Sequence, residues 1–243
     1  MKQIGLWLAG ILGFTLVIGV HELGHFTFCK IFNINTPVFS IGFCPPILHK
    51  KIGSTNFVLG MIPLGGYVEI SGINDTWSQK TLNDTDIWNA YSFARRPYHQ
   101  KLLVLLGGII FNLLFGFLLF ALLKWRKPVT PPEQETAPVV PQKLSNRIMG
   151  PLAILAMITQ SAANGPRMYI LFLAVLSINL AVFNLLPIPV FDGGQLLLTT
   201  IETIQGHSFS ADARAMVMSI TGFILILFFI YITLRDVKQL KSQ

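Results

Sequence analysis

The sequence predicts an α-helical integral membrane protein with about four transmembrane helices. A small membrane-associated β-hairpin sheet is expected between the first and second. Three observations predict this class. Hydrophobic residues make up 52% of the 243 and charged residues only 12%, about half the charged share of a soluble domain. Four runs reach the ~20 apolar residues that a bilayer core requires. Between the first two runs the pattern changes to short β-prone stretches broken by glycine and proline. The whole chain reads as a single membrane-embedded domain. Its net charge of +7 suits the anionic headgroups of a lipid bilayer. No basic stripe interleaved with aromatics points to nucleic acid.

The first span covers residues 4–29. It is uncharged up to Val20 and is then interrupted by His21-Glu22-Leu23-Gly24-His25. Met1-Lys2 followed by an apolar run could pass for a signal peptide. A small-residue cleavage site is missing, so a retained helix is expected. Residues 36–97 form a hairpin and loop region. In it, runs such as Asn56-Phe-Val-Leu59 and Tyr67-Val-Glu-Ile70 are separated by Gly42, Pro45, Pro46, Gly53 and Pro63-Leu-Gly-Gly66, a pattern of strands with tight turns. Asn74 to Tyr91 is polar and is expected as surface loop or short helix.

Arg95, Arg96 and Lys101 anchor the second span, residues 100–124, at the headgroups. Residues 125–147 hold Pro128, Pro131, Pro132, Pro138 and Pro141 and read as an extended linker. Residues 148–164 are apolar but short, with Pro151, Gln160 and Ser161. Such a run lies in the interface or re-enters. The third and fourth spans cover 167–188 and 214–235. On this topology 8 of the 18 Lys and Arg fall on one face and 10 on the other, so charge does not fix the orientation.

The interruption in the first span carries chemistry. His21 and His25 are four apart, hence on one helix face, where both imidazoles reach a single metal. Glu22 sits beside them, where a carboxylate can take a proton from a water activated by the metal. A charged carboxylate inside an apolar span costs about 3 kcal/mol, and such groups mark function. Catalytic zinc needs a third protein ligand. Cys29 lies eight residues from His21, about 12 Å along a helix, too far to share its ion. It reads as a small buried apolar residue. Cys29 and Cys44 suggest no disulfide framework. His49, His99 and His207 read as surface histidines.

Asp192 is the better third ligand. Pro187 and Pro189 stop the third span and free backbone groups, which a membrane tolerates only inside protein or beside water. Asp-Gly-Gly could also be a plain turn at the membrane surface. Parity favours the ligand: the motif ends the first span, and the third span ends on the same face. Were 148–164 a full span, Asp192 would lie opposite. Asn179 and Asn184 suit either helix–helix hydrogen bonding or the lining of a polar cleft. Asn112, in the second span, reads as structural.

These residues resemble the site-2 protease family of intramembrane zinc metalloproteases, in its bacterial regulator-of-sigma-E protease branch. The matching pieces are His21-Glu-Leu-Gly-His-Phe26, Phe39-Ser-Ile-Gly-Phe43, Pro63-Leu-Gly-Gly-Tyr-Val68, Ser177-Ile-Asn-Leu180 and Asn184-Leu-Leu-Pro-Ile-Pro-Val-Phe-Asp-Gly-Gly194. The resemblance implies zinc on His21, His25 and Asp192, with Glu22 activating the water. It also implies that the 39–70 region holds an unwound substrate strand, and that Asn179, Asn184, Pro187 and Pro189 lie near the substrate cleft. A multi-pass protein of the bacterial inner membrane is implied, its catalytic end toward the cytoplasm. Two departures stand out. The linker fills the place where relatives carry PDZ domains, so a separate adaptor is a possible partner. Gly107-Gly108-Ile109 replaces the family's Ala-Gly-Pro, where helix packing is set.

The expected activity is hydrolysis of a peptide bond in or near the transmembrane segment of a single-span membrane protein or remnant peptide. A non-proteolytic metal-binding scaffold or chaperone is the alternative; it needs the same ligands but not Glu22. A metal transporter predicts polar residues along several spans, and the second and fourth lack them.

Overall fold

The structure, a computed structural model, describes residues 2–73, 91–125 and 151–241. The polar stretch 74–91 and the proline-rich linker 125–147 lie, but for their end residues, outside the described residues. Helix α1 (Lys2–Ile31) leads into strands β1 (Val38–Ile52) and β2 (Thr55–Val68). After a short 3-10 turn come α2 (Tyr98–Trp125), α3 (Pro151–Ala163), α4 (Pro166–Asn184), α5 (Asp192–Gln205) and α6 (Ala211–Lys241). Among the described residues four helices are long and apolar enough to cross a membrane: α1, α2, α4 and α6. The chain is a multi-pass membrane protein.

The two strands build more than a hairpin. Residues 48–52 pair with 55–59 across the turn in the ordinary antiparallel way. Val38, Phe39, Ser40 and Ile41 pair with Asn56, Phe57, Val58 and Leu59, a run in which both numbers rise together. On its other side the same stretch pairs Phe39 with Val68, Ser40 with Tyr67 and Ile41 with Gly66. Each long strand is thus folded over, and the sheet is effectively four segments wide. Pro45 and Pro46 cannot donate to a ladder, and the register shifts through this part of β1. Gly42, at φ +88, supplies the left-handed backbone that the fold-over needs. The segment 66–68 ends up at an edge.

That sheet is tied to α1. Phe26 packs edge-on against Phe39 and Phe57, with ring centroids 5.2 and 5.6 Å away. The Thr15 hydroxyl donates to the Pro63 carbonyl at 2.6 Å. Lys30 Nζ reaches Thr55 Oγ1 at 2.8 Å. In a medium without water, such bonds satisfy groups that would otherwise be stranded.

Helix α2 crosses α1 at Gly24 and Gly107. A Cβ on Gly107 would lie 2.7 Å from the Gly24 carbonyl oxygen, and one on Gly24 would meet the Gly107 backbone. The small-residue departure at Gly107 therefore lets two backbones touch, as small residues do between membrane helices. Gly24→Ala is expected to push the helices apart, at an overpacking cost of about 1–3 kcal/mol. A lowered thermal midpoint in detergent would report it; an unchanged midpoint would mean the crossing is loose.

Helix α3 is 13 residues long, too short to span a bilayer. It packs on α1 and α4, with Ile158 fully buried among Val17, Leu119, Leu173 and Ala174. Its Thr159 lies against Gly10, about 16 Å along α1 from His21. Tyr169, near the start of α4, donates to the Ala9 carbonyl at 2.7 Å. A second cluster, Cys29, Ile34, Phe93, Val104 and Leu105, sits near the C-terminal end of α1. Cys29 is a free, fully buried packing residue there. Helix α6 is scarcely covered by the rest of the chain and presents apolar side chains almost all round, as a lipid-facing helix does.

Helix α4 stops at Asn184, four residues short of the span end expected at 188. Pro187 and Pro189 lack the N–H groups that would continue the ladder. The chain instead closes turns from Leu185 N to Val182 O, Ile188 N to Leu186 O and Phe191 N to Ile188 O.

Candidate metal centre

His21 and His25 stand one turn apart on α1, both 7% exposed. Asp192 opens α5, a position where the unpaired N–H groups of a helix favour a negative charge. The tight loop that carries it depends on Gly193 and Gly194. A Cβ on either would meet the backbone of Leu185 or Ile188, so only glycine lets the first turn of α5 seat against those carbonyls. Gln195 pins the loop by donating to the Pro189 carbonyl at 2.6 Å.

The result is a convergence of three donor atoms. Asp192 Oδ2 lies 3.1 Å from His21 Nε2 and 3.4 Å from His25 Nε2, and the two Nε2 atoms are 3.2 Å apart. An ion with tetrahedral bonds of ~2.1 Å holds its ligands about 3.4 Å from one another. The trio therefore has the dimensions of three corners of one coordination shell. Asp192 Oδ2 is buried and makes no hydrogen bond, although buried carboxylate oxygens are ordinarily paired. A cation between the three would satisfy it, so these residues fit a metal. Without a metal, burial would raise the Asp192 pKa, but protonated imidazoles at His25 and His21 more than offset this and hold its carboxyl below the ordinary range. A bound cation would take over that role, since a carboxylate ligates a metal in its ionised form.

The other ring nitrogens are held too. His25 Nδ1 is 2.8 Å from the Val104 carbonyl, which fixes its hydrogen there and leaves Nε2 free for a metal. His21 Nδ1 faces the Asn112 side-chain amide at 3.2 Å. Both contacts come from α2. Glu22 is half-buried beside the trio, within electrostatic reach of His25, His21 and Asp192. Its carboxylate lies against the Val68 backbone amide, and Gly66 leaves its side chain room. The catalytic candidate thus sits between the metal trio and the 66–68 edge of the sheet.

Every candidate ligand read from the sequence comes together here. The four residues expected near a substrate do not join the trio through hydrogen bonds among the described residues. Asn179 is exposed, and Asn184 donates to Leu180 O of its own helix at 3.0 Å. Pro187 is exposed, whereas Pro189 acts through its carbonyl. Reading the sequence missed the partners of the imidazoles. Gly108 and Asn112, four apart in an uncharged span, were the available signal, since that spacing puts both on one face.

A family model, Peptidase family M50, matches residues 9–228. Among curated relatives, a Helicobacter pylori protein is 38% identical over 115 residues, 47% of this chain and 32% of that protein. A Borreliella burgdorferi protein is 35% identical over 113 residues, 46% and 26% of the two chains. A Rickettsia conorii protein is 22% identical over 360 aligned positions, 96% of this chain and 99% of that one. All three carry the name "Putative zinc metalloprotease". The match spans less than a third of the length of the first two. The Rickettsia alignment is longer than this chain, so that relative holds residues with no counterpart here.

Proposed function

The chain belongs to peptidase family M50, and from that premise we propose that it is an intramembrane zinc endopeptidase acting on single-span membrane proteins or remnant peptides. One observation carries the proposal: Asp192, 167 or more positions from either histidine in the sequence, lies 3.1 Å from His21 and 3.4 Å from His25, with Glu22 beside them. His21, His25 and Asp192 would hold the zinc. When bound, zinc supplies Lewis acidity, polarising the scissile carbonyl and bringing the pKa of a water toward ~7. Glu22 takes the proton of the attacking water and hands it to the leaving amine as the C–N bond breaks.

A peptide bond inside a transmembrane helix is shielded by its own hydrogen bonds, so a substrate must unwind to be cut. The 66–68 edge supplies replacement partners by strand addition, and it runs past Glu22. Asn179, Asn184, Pro187 and Pro189 are proposed to border the same cleft from the other side. The protein is proposed to lie in the bacterial inner membrane with this site toward the cytoplasm, an adaptor standing in for a PDZ domain.

The test uses the purified full chain in liposomes with single-span substrates. Cleavage is expected to map by mass spectrometry inside the substrate's transmembrane segment. It should stop with 1,10-phenanthroline and return on adding zinc. Cleavage confined to soluble tails, or indifferent to metal removal, would overturn the proposal.

A further inference from the structure

Helix α2 carries more than packing. We infer that Asn112, held in turn by Ser177, is the positioning residue that keeps His21 in its metal-binding form; this rests on the proposed ligand set. The nitrogen that His21 aims at Asp192 and His25 is Nε2. To bind a metal it must be unprotonated, so the hydrogen of the neutral ring belongs on Nδ1. A buried N–H requires an acceptor. For His25 that acceptor is a backbone carbonyl, Val104 O. For His21 the group facing Nδ1 is the Asn112 side-chain amide: its nitrogen, Nδ2, stands 3.2 Å away, and its oxygen, Oδ1, is turned to Ser177 Oγ.

An amide offers a donor at one end and an acceptor at the other. With its nitrogen toward His21 it would drive the ring hydrogen onto Nε2, the atom that must face the metal. With its oxygen toward His21 it accepts from Nδ1, and Nε2 is left free. A half-turn of the amide, which exchanges two groups of nearly the same shape, reaches that orientation and brings the NH2 to Ser177 Oγ, the atom that stands 3.4 Å from Oδ1 before the turn. Ser177 can accept because its own hydrogen goes to the Asn112 backbone carbonyl at 2.8 Å. Each donor then meets an acceptor, in one direction only: His21 to Asn112, Asn112 to Ser177, Ser177 to the α2 backbone. Asn112 and Ser177 are both 0% exposed, so no water replaces either. The node joins α1, α2 and α4 at the depth of the metal trio.

The experiment measures zinc affinity of the full chain in detergent by competition with a chelator of known strength. Asn112→Leu removes the acceptor at similar volume and is expected to weaken zinc binding about 10–100-fold. Asn112→Asp restores an acceptor and is expected to return affinity to within a few-fold of the unaltered protein. A packing role predicts the reverse order, because an unpaired carboxylate in the membrane is worse than leucine. Asn112→Leu with unchanged affinity, or Asn112→Asp no better than Asn112→Leu, overturns the inference. Nitrogen-15 spectra of histidine-labelled unaltered protein provide a reading independent of variant folding. They should show neutral His21 carrying its hydrogen on Nδ1 already in the zinc-free form, and a hydrogen on Nε2 there overturns it. An unaltered chain that binds no zinc would instead remove the ligand set itself.

Discussion

Glu22→Gln is expected to reduce peptide hydrolysis by about 10²–10⁴-fold while zinc stays bound. The substitution keeps the side chain's length and shape and removes only its capacity to accept a proton. None of the three donor atoms of the trio belongs to Glu22, so the metal should be held as before. The Val68 amide can still meet an oxygen on glutamine, so the 66–68 edge should keep its seat. Turnover of a single-span substrate and zinc content of the same preparation, measured together, separate two ideas. A scaffold that holds helices without cutting them needs the trio but not the carboxylate, and it would show neither turnover nor any effect of the change. Unaltered cleavage by the glutamine variant would remove Glu22 from the mechanism.

The convergence of His21, His25 and Asp192 was legible because each of these candidate ligands leaves a one-dimensional trace. His21 and His25 are four apart within an apolar run, and that spacing alone puts them on one face. Asp192 follows two prolines at the end of another apolar run, and counting spans places both ends on one side. The same count depended on treating 148–164 as too short to cross, and α3 is indeed only 13 residues. What could not be read belongs to tertiary contact. The folded-over sheet requires residues 38–41 to pair with two separate parts of β2, and nothing in a local β-prone pattern announces a second partner. The early end of α4 at Asn184 reflects turn hydrogen bonds made before Pro187, within a stretch whose composition still looks like a span. Asn112 read as structural because an amide amid leucines and phenylalanines is usually a helix–helix contact. Its meaning depends on what stands opposite, and that is His21.

Gly108→Ala is expected to cost the protein its zinc while leaving the helices assembled. Along one face of α2, at intervals of four, stand Val104, Gly108 and Asn112. The first holds His25 Nδ1 and the last holds His21 Nδ1. The two imidazoles are thereby clamped across the glycine between them. A Cβ on Gly108 would lie 2.5 Å from His21 Cε1, 2.5 Å from His25 Nε2 and 2.6 Å from His21 Nδ1. Contacts this close force the rings to move, yet each ring is tethered to the helix that carries the intruding methyl. Giving way means breaking one Nδ1 contact or turning an Nε2 away from Asp192, and either outcome spoils the shared ion. Alanine is the better helix former by about 0.8–1.0 kcal/mol, which offsets part of the overpacking and argues against wholesale unfolding. Zinc affinity should fall at least about tenfold, in the range that loss of a ligand's orienting partner produces. Gly5→Ala makes the control: it adds the same methyl to α1 where nothing lies within 4 Å, and zinc binding should be untouched. If Gly108→Ala held zinc as tightly as that control, the rings would have to be free to swing, and α2 could not be the element that aims them.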